Sequence, residues 1–206
     1  MPQVSVLLPV RDAGPLLNEC LASLQAQPLT DFEVVAVDDG SQDGSRERLA
    51  AVAGQDPRLR VLATPPRGLT AALNAAAGAA RAPLLARMDA DDIAHPERMA
   101  LQAQRFQGEP RLAILGCRVR LLGSPPAGNQ GMRAYLEWQN QLLDHDDLVR
   151  DLFVESPLVH PSVMMRAETL RALGGYRTFD GPEDYDLWLR AWEGGFRFAK
   201  LPQLLL

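Results

Sequence analysis

The sequence has little or none of several features that each point to a class of protein. Its two cysteines, Cys20 and Cys117, form no CxxC pair, so we expect neither a disulfide scaffold nor a cysteine-bound zinc ion. Both lie in apolar surroundings and are predicted to be buried free thiols. No apolar run reaches the roughly 20 residues that a membrane helix needs. The first residues lack the basic segment that opens a signal peptide, so we expect a cytoplasmic protein.

Basic charge is scarce as well. The 206 residues include 21 lysines and arginines against 26 aspartates and glutamates, which gives a formal net charge of −5. A protein that binds nucleic acid through its phosphates needs a basic surface, so we expect no nucleic-acid partner. Because the net charge is negative, an anionic substrate has to be held by local positive groups, such as a metal ion or helix N-termini.

Four familiar motifs are also missing. The chain contains no GxGxxG, no GxxxxGK[ST], no HExxH and no GxSxG. Dinucleotide-binding, P-loop, zinc-protease and hydrolase functions therefore lose their usual support. What the chain has instead is a set of acidic residues placed where predicted strands end.

Strand and helix patterns alternate along the chain. Apolar runs such as 4–8 and 32–37 are typical of strands buried on both faces, and helical patterns such as 16–24 and 68–80 lie between them. This alternation predicts an α/β fold with a mostly parallel sheet flanked by helices. The Gly- and Pro-rich segment 123–131 is the best internal boundary, so we expect one domain over 1–206 with halves 1–122 and 132–206.

The first acidic cluster follows the second predicted strand. It reads Asp38-Asp39-Gly40-Ser41, at the carboxyl end of a strand, where ligands bind in open α/β sheets. A carboxylate there can accept a hydrogen bond from a nucleotide base or a ribose hydroxyl. The alternative is a turn in which Asp and Gly fit the bend and a polar residue caps the next helix.

The second cluster places Asp89, Asp91 and Asp92 within four residues at another strand end. Three carboxylates this close repel one another unless a cation or protons intervene. Oxygen ligands of this kind suit Mg²⁺ or Mn²⁺, usually together with substrate phosphates. A solvated acidic turn before the next helix is the alternative.

The third cluster, Glu183 and Asp184, lies in the predicted first turn of a helix after Gly181-Pro182. Acids in this position complement the helix dipole, which is one explanation for them. A carboxylate at a helix start is equally well placed to project into a cleft and act as a general base.

Weaker signals lie between these clusters. Gly68 begins a helix and allows close backbone approach to a phosphate, with Asn74 further along the same helix. Arg87 precedes the second acidic cluster and could neutralise a phosphate. His160 stands before a predicted strand, where it could border the cleft, although a lone histidine in this position is more often structural. Tyr176 follows a probable helix stop and suggests no role.

Taken together, these segments resemble the family 2 glycosyltransferases of bacteria, which have the GT-A fold. The resemblance spans nearly the whole chain in the family's order. Seven segments carry it: VSVLLPV (4–10), VDDGS (37–41), GLTAALN (68–74), ARMDADDI (86–93), HPSVM (160–164), GGY (174–176) and EDYDLWLR (183–190).

The resemblance implies a donor-binding role for the first half of the chain. Asp39, with Asp38 beside it, would contact the base and ribose of a nucleotide-sugar donor. Pro9, Val10 and Arg11 would line the nucleotide pocket at the end of the first strand, although many members have an aromatic residue where Arg11 stands.

The resemblance also implies the residues of the reaction. Asp89 and Asp91 match the Asp-x-Asp pair that holds Mn²⁺ or Mg²⁺ against the donor diphosphate. Asp184 matches the catalytic base, with Glu183 as its neighbour. The reaction implied is an inverting transfer of a sugar to an acceptor hydroxyl.

The partners expected from the resemblance are a nucleotide-sugar donor, UDP-linked by default, and a saccharide or lipid-linked acceptor. A lipid-linked acceptor would place the protein peripherally at the inner face of the membrane. Family members usually continue past the last predicted strand, so we expect part of the acceptor side to lie outside these 206 residues. Two other functions stay open: a non-catalytic nucleotide-sugar-binding module and, with less support, a sugar nucleotidyltransferase.

Overall fold

A seven-stranded sheet forms the centre of the protein in a computed structural model, which describes residues 1–122 and 130–206. The strands are β1 (Val4–Val10), β2 (Phe32–Asp38), β3 (Leu59–Ala63), β4 (Leu84–Arg87), β5 (Leu112–Arg118), β6 (Met164–Arg166) and β7 (Arg197–Leu204). Their order across the sheet is β3-β2-β1-β4-β6-β5-β7. Every paired neighbour is parallel except β6, which runs antiparallel to both β4 and β5. The predicted mostly parallel α/β sheet is therefore confirmed.

Helices connect the strands and cover both faces of the sheet. They are α1 (Leu16–Gln25), α2 (Ser45–Ala53), α3 (Leu69–Ala79), α4 (Arg98–Gly108), α5 (Gln130–Gln141), α6 (His145–Asp151), α7 (Ala167–Ala172) and α8 (Glu183–Glu193), with a short 3-10 helix at His160–Ser162. The predicted boundary at 123–131 lies outside the described residues except for its last two, which begin α5. None of the described helices has the length and apolarity that crossing a bilayer requires.

The apolar runs become central strands because both of their faces are covered. All seven residues of β1 and all seven of β2 are buried. Side chains alternate across a strand, so Val4, Val6 and Leu8 face one core layer and Leu7 faces the other. Cys20 and Cys117 are buried free thiols, as predicted.

The strand order creates a crevice at one edge of the sheet. β2 lies on one side of β1 and β4 lies on the other, so the chain leaves β1 and β4 in opposite directions. Ligands bind at such a switch point, outside the carboxyl ends of the strands. The turns that follow β1, β2 and β4 all meet there, and they carry the acidic residues of the first two clusters.

At the opposite edge of the sheet, a buried ion cluster joins β2 to the segment before β4. The Glu33 carboxylate accepts hydrogen bonds from Ser5 at 2.7 Å, from Arg60 at 2.9 Å and from Arg81 at 2.6 Å. Burial raises the pKa of Glu33, but the bonds from Arg81 and Ser5 outweigh it and lower the pKa to about 2. This cluster fixes the start of β4 against β1 and β2 and lies away from the crevice.

Candidate functional site

A cavity of about 450 Å³ opens at the carboxyl ends of β1, β2 and β4. We call it the Asp39 cavity. It collects most of the residues that the sequence assigned to a nucleotide donor and its cation, namely Pro9, Val10, Arg11, Asp39, Gly68, Asp89 and Asp91. Residues more than 80 positions apart in sequence therefore share one space, which follows from the parallel strands ending at the same edge.

Asp39 is buried at the back of this cavity, and its carboxylate organises the loop before α3. It accepts hydrogen bonds from the backbone N–H groups of Arg67 and Gly68, both at 2.8 Å. The same loop packs closely on Gly40, where an added Cβ would lie 2.8 Å from Pro66. Gly40 and Gly68 both have positive φ angles, which glycine adopts at no steric cost. The Gly68 N–H predicted to face a phosphate is thus already bonded to Asp39.

Asp38 occupies a different environment from its neighbour and does not line the cavity. Its fully buried carboxylate accepts from the Arg46 guanidinium at 2.7 Å and from the Ser41 N–H at 3.2 Å. Burial raises the pKa of Asp38, but the bonds from Ser41 and Arg46 outweigh it and lower the pKa. The contact that the structure shows is thus an ion pair that anchors α2, and the expected contact of Asp38 with the donor stays a prediction.

The turn after β4 carries three carboxylates that we call the acidic turn: Asp89, Asp91 and Asp92. One carboxylate oxygen from each lies within 4.8 Å of the others. Burial, together with the charges of Asp89 and Asp91, raises the pKa of Asp92 to about 6. All the donor atoms are oxygens and their mutual repulsion favours a cation, so this set fits a hard divalent ion such as Mg²⁺ or Mn²⁺.

Two buried arginines contact the acidic turn or the residues directly before it. Arg87 pairs with the carboxylate of Asp89, and its side chain is 4% exposed. Arg98 is fully buried and donates from Nη2 to the carbonyl oxygens of Arg87 at 2.8 Å and Pro161 at 2.6 Å. Arg87, predicted to neutralise a donor phosphate, does not line the Asp39 cavity, because it lies behind Asp89.

A second cavity of about 310 Å³ lies on the other side of the acidic turn. We call it the Asp184 cavity, since Asp184 lines it together with Asp92 and His160. Apolar residues form much of the remaining wall, among them Val119, Met132, Leu136, Leu158, Val159 and Leu206. Asp184 therefore does not share one cavity with Asp39, and the acidic turn lies between the two spaces.

The two acids at the start of α8 are held differently. Glu183 Oε1 lies 3.4 Å from Nδ1 of His160, and the interaction with His160 lowers the pKa of Glu183. Burial raises the pKa of Asp184, which pairs with no basic side chain among residues 1–122 and 130–206. Glu183 is thus an anchored carboxylate, and Asp184 is a free one with increased proton affinity.

His160 connects Glu183 to a residue that the sequence left without a role. Its Nε2 lies 3.0 Å from the hydroxyl of Tyr176, and both side chains are buried. Burial, followed by the charge of Arg87, lowers the pKa of His160, which favours the neutral ring. With the ring neutral, Nε2 accepts from the Tyr176 hydroxyl and the ring proton lies on Nδ1, the nitrogen nearest Glu183. His160 also lines the Asp184 cavity, at the cleft border that the sequence suggested.

Asn74 has a different position from the one expected for a donor contact. Its side-chain amide donates to the carbonyl of Tyr176 at 2.8 Å and accepts from the Tyr176 N–H at 3.0 Å. A Cβ on Gly175 would lie 2.7 Å from Asn74 Oδ1, so the Gly174-Gly175 turn fits only without side chains. Asn74 lies outside both cavities. Its amide nitrogen and oxygen both bond the backbone of Tyr176, so the side chain clamps the Tyr176 turn to α3.

Three features escaped the sequence analysis. The position of Asp92 in the second cavity was missed, although it was counted among the three close carboxylates. The Arg87–Asp89 pair and the Tyr176–His160–Glu183 chain were also missed. An Arg two residues before an Asp at a strand end was a usable signal for the pair, because both side chains project from the same face. Nothing in the sequence links Tyr176 to His160.

Comparison with known proteins identifies the family. The family model described as glycosyl transferase family 2 matches residues 5–174. The O-antigen biosynthesis protein RfbC of Myxococcus xanthus is 34% identical over 92% of this chain and 14% of its own length. The amylovoran biosynthesis glycosyltransferase AmsE of Erwinia amylovora is 31% identical over 92% of this chain and 69% of its own length. The chain thus spans a small part of RfbC and about two thirds of AmsE.

Solved structures agree on the fold. A crystal structure of S. aureus TarS 1-349 superposes with a TM-score of 0.78 at 20% identity, over 100% of this chain and 59% of that one. The mannosyltransferase PcManGT from Pyrobaculum calidifontis, in complex with GDP-Man and Mn²⁺, superposes with a TM-score of 0.76 at 24% identity. The superposition covers 98% of this chain and 55% of the PcManGT chain. Since the family model covers most of the described sequence and the sheet has the layout of these GT-A glycosyltransferases, the chain belongs to glycosyl transferase family 2.

Proposed function

We propose that this chain transfers a sugar from a nucleoside-diphosphate donor to an acceptor hydroxyl, with inversion at the anomeric carbon. The donor occupies the Asp39 cavity and the acceptor hydroxyl enters the Asp184 cavity. The observation that carries the proposal is the position of the acidic turn, which contributes Asp89 and Asp91 to the first cavity and Asp92 to the second. A reaction centre at this turn would touch both substrates.

The donor side supplies recognition without a basic surface. The buried carboxylate of Asp39 and the exposed Arg11 guanidinium, 3.8 Å apart, offer an acceptor and a donor to the base and ribose. Asp89 and Asp91, with Asp92, would hold Mn²⁺ or Mg²⁺ beside the diphosphate. The ion, when bound, stabilises negative charge that develops on the leaving diphosphate. This resolves the problem of an anionic substrate on a chain of net charge −5, since the positive charge is brought by the ion.

The acceptor side supplies a general base. Asp184 has no basic partner among the described residues, and burial favours its protonated form, so its proton affinity exceeds that of an ordinary aspartate. Such a carboxylate accepts the proton of an attacking hydroxyl more readily than a solvated one. Glu183 would fix the orientation of the helix start through His160, which leaves Asp184 free to face the acceptor.

The relatives support a nucleotide sugar as the donor. TarS is described in complex with UDP-GlcNAc, and PcManGT in complex with GDP-Man and Mn²⁺. RfbC and AmsE are described as proteins of O-antigen and amylovoran biosynthesis, which are polysaccharides. We extend these descriptions to a UDP-sugar donor and to a saccharide or lipid-linked acceptor. Residues 1–122 would form the donor side and residues 132–206 the acceptor side.

A nucleotide-release assay tests the proposal. Purified protein is incubated with UDP-GlcNAc, UDP-glucose, UDP-galactose or GDP-mannose and a panel of acceptor sugars, with Mn²⁺ or with EDTA. We expect release of the nucleoside diphosphate from one donor, dependent on Mn²⁺ and lost in Asp91→Ala and Asp184→Asn. Binding of a donor without transfer or hydrolysis would contradict the enzymatic function and leave a binding module. Release of pyrophosphate from a nucleoside triphosphate and a sugar phosphate would indicate a nucleotidyltransferase.

A further inference from the structure

The Arg87–Asp89 pair joins a buried cation to one of the carboxylates assigned to the metal ion. Arg87 is the last residue of β4, and Asp89 begins the acidic turn two residues later. The Arg87 side chain is 4% exposed, whereas the Asp89 side chain is 35% exposed and reaches the cavity. The pair therefore has one partner that is fixed in the interior and one that a ligand in the cavity can reach.

Arg87 is not committed to other partners. Its Nε and Nη1 are buried and make no hydrogen bond with any residue in 1–122 and 130–206, so the contact of Nη1 with Asp89 is an ion pair only. Arg98, the other buried arginine behind the turn, differs in this respect, since it donates to Gln102 Oε1, Met88 Sδ and two carbonyl oxygens. Arg98 is thus held by the fold, while the carboxylate of Asp89 is the only counter-ion within ion-pair distance of Arg87 in the described part of the chain.

The Arg87 guanidinium contacts Oδ2 of Asp89 and draws electron density from that carboxylate. A divalent ion bound to the same carboxylate would meet a weaker ligand and would also be repelled by the guanidinium across a short distance. We propose, on the basis of the proposed function, that Arg87 competes with the divalent cation for Asp89. Arg87 is then a positioning residue that holds the acidic turn in the metal-free protein and sets its affinity for the ion.

A competing arginine and a merely structural one respond differently to substitution. Replacing Arg87 by an uncharged residue of similar length removes the competitor, so the affinity for the ion should increase rather than fall. We expect Arg87→Met to bind Mn²⁺ at least tenfold more tightly than the natural chain in the absence of nucleotide. Arg87→Lys keeps the charge and should remain within about threefold of the natural affinity.

Isothermal titration with Mn²⁺ alone tests this prediction. The matched control is Arg105→Met on α4, which removes one positive charge from an exposed ion pair with Glu109 outside both cavities and should stay within about threefold. Asp91→Ala should lose most of the binding. A folded Arg87→Met protein that binds Mn²⁺ no more tightly than the natural chain overturns the competition, while the loss in Asp91→Ala would still support the metal site. No Mn²⁺ binding by any of these proteins, with or without UDP, overturns the metal site and the competition together.

A measurement on the natural chain covers the case in which Arg87→Met does not fold. The guanidinium ¹⁵N–¹H signal of Arg87, assigned by its absence in Arg87→Lys, is followed during a titration with diamagnetic Mg²⁺. We expect this signal to shift while that of Arg98 stays in place, because Arg98 has no carboxylate to lose. An unmoved Arg87 signal at Mg²⁺ saturation, established by shifts in the backbone amides of Asp89 and Asp91, would overturn the proposal.

Discussion

Asp91 and Asp92 are adjacent in the chain, yet Asp91 lines the Asp39 cavity and Asp92 lines the Asp184 cavity. The acidic turn is therefore a shared wall between the two spaces. In the proposed reaction, a group bound at this wall would lie beside a ligand in either cavity. A donor at the edge formed by β1, β2 and β4 would then meet a hydroxyl held by residues of the second half of the chain.

The first prediction concerns Asp184, the proposed general base. Asp184→Asn keeps the size of the side chain and removes its ability to take a proton, so transfer should fall by about 10²–10⁴-fold. The affinity for the donor should stay nearly unchanged, because Asp184 lies outside the Asp39 cavity. Initial rates and donor titrations measure the two quantities separately.

The matched control for this prediction is Asp186→Asn on the same helix turn. Asp186 accepts from Arg190 Nε at 2.8 Å and lies outside both cavities, so its loss should leave the rate within a few-fold. Retained turnover in Asp184→Asn would remove Asp184 as the base.

The second prediction concerns the pH dependence of transfer. Burial raises the pKa of Asp184, and the base works only when ionised, so activity should fall with decreasing pH at values above the usual aspartate range. A profile of kcat/KM between pH 4 and pH 8 should show this fall as an acidic limb. The residual activity of Asp184→Asn should lack the limb. An acidic limb that persists unchanged in the variant would assign it to another group.

The third prediction separates the two roles considered for Asn74. The structure makes it a clamp on Tyr176 through two hydrogen bonds, so Asn74→Ala should lower the free energy of unfolding by about 1–3 kcal/mol. Donor affinity should stay unchanged once the variant is folded. Denaturant unfolding and nucleotide titration provide the test. A variant of natural stability with weakened donor binding would support the contact expected from the sequence instead.

The fourth prediction concerns stability in acid. The pKa of Glu33 is lowered to about 2 in the folded protein, so its stabilising contribution is full above the ordinary glutamate pKa and is lost as the pH falls from there through about 2. Glu33→Gln should cost about 3 kcal/mol at pH 7 and progressively less as the pH approaches 2. Urea unfolding at a series of pH values measures this difference.

An exposed pair provides the control for the acid prediction. Glu109 and Arg105 form a surface ion pair at 2.8 Å, so Glu109→Gln should cost at most about 1 kcal/mol. A cost for Glu33→Gln that does not change between pH 7 and pH 2 would contradict the pKa assigned to Glu33.

Much of the fold was predictable from local patterns. The runs that form β1 and β2 are buried on both faces, and the helical patterns at 16–24 and 68–80 form α1 (Leu16–Gln25) and α3 (Leu69–Ala79). The antiparallel position of β6 was not predictable, because Met164–Arg166 is a three-residue strand with no pattern of its own. Its partners are set by the packing of β4 and β5 around it.

The candidate site was predictable in its residue types and less so in its contacts. Carboxylates at strand ends indicated Asp39, Asp89 and Asp91, since parallel strands end together at one edge. The ion pair of Asp38 with Arg46 and the bonds between Asn74 and Tyr176 depend on side-chain directions in three dimensions. The latter pair is 102 residues apart, and no local signal connects such positions.

A crystal structure with UDP and Mn²⁺, in which anomalous scattering locates the ion, would show the proposed site directly. We expect Mn²⁺ bound to oxygens of the acidic turn and of the diphosphate, with the nucleoside beside Asp39. A nucleotide bound away from the Asp39 cavity, or an ion that touches neither Asp89 nor Asp91, would contradict it.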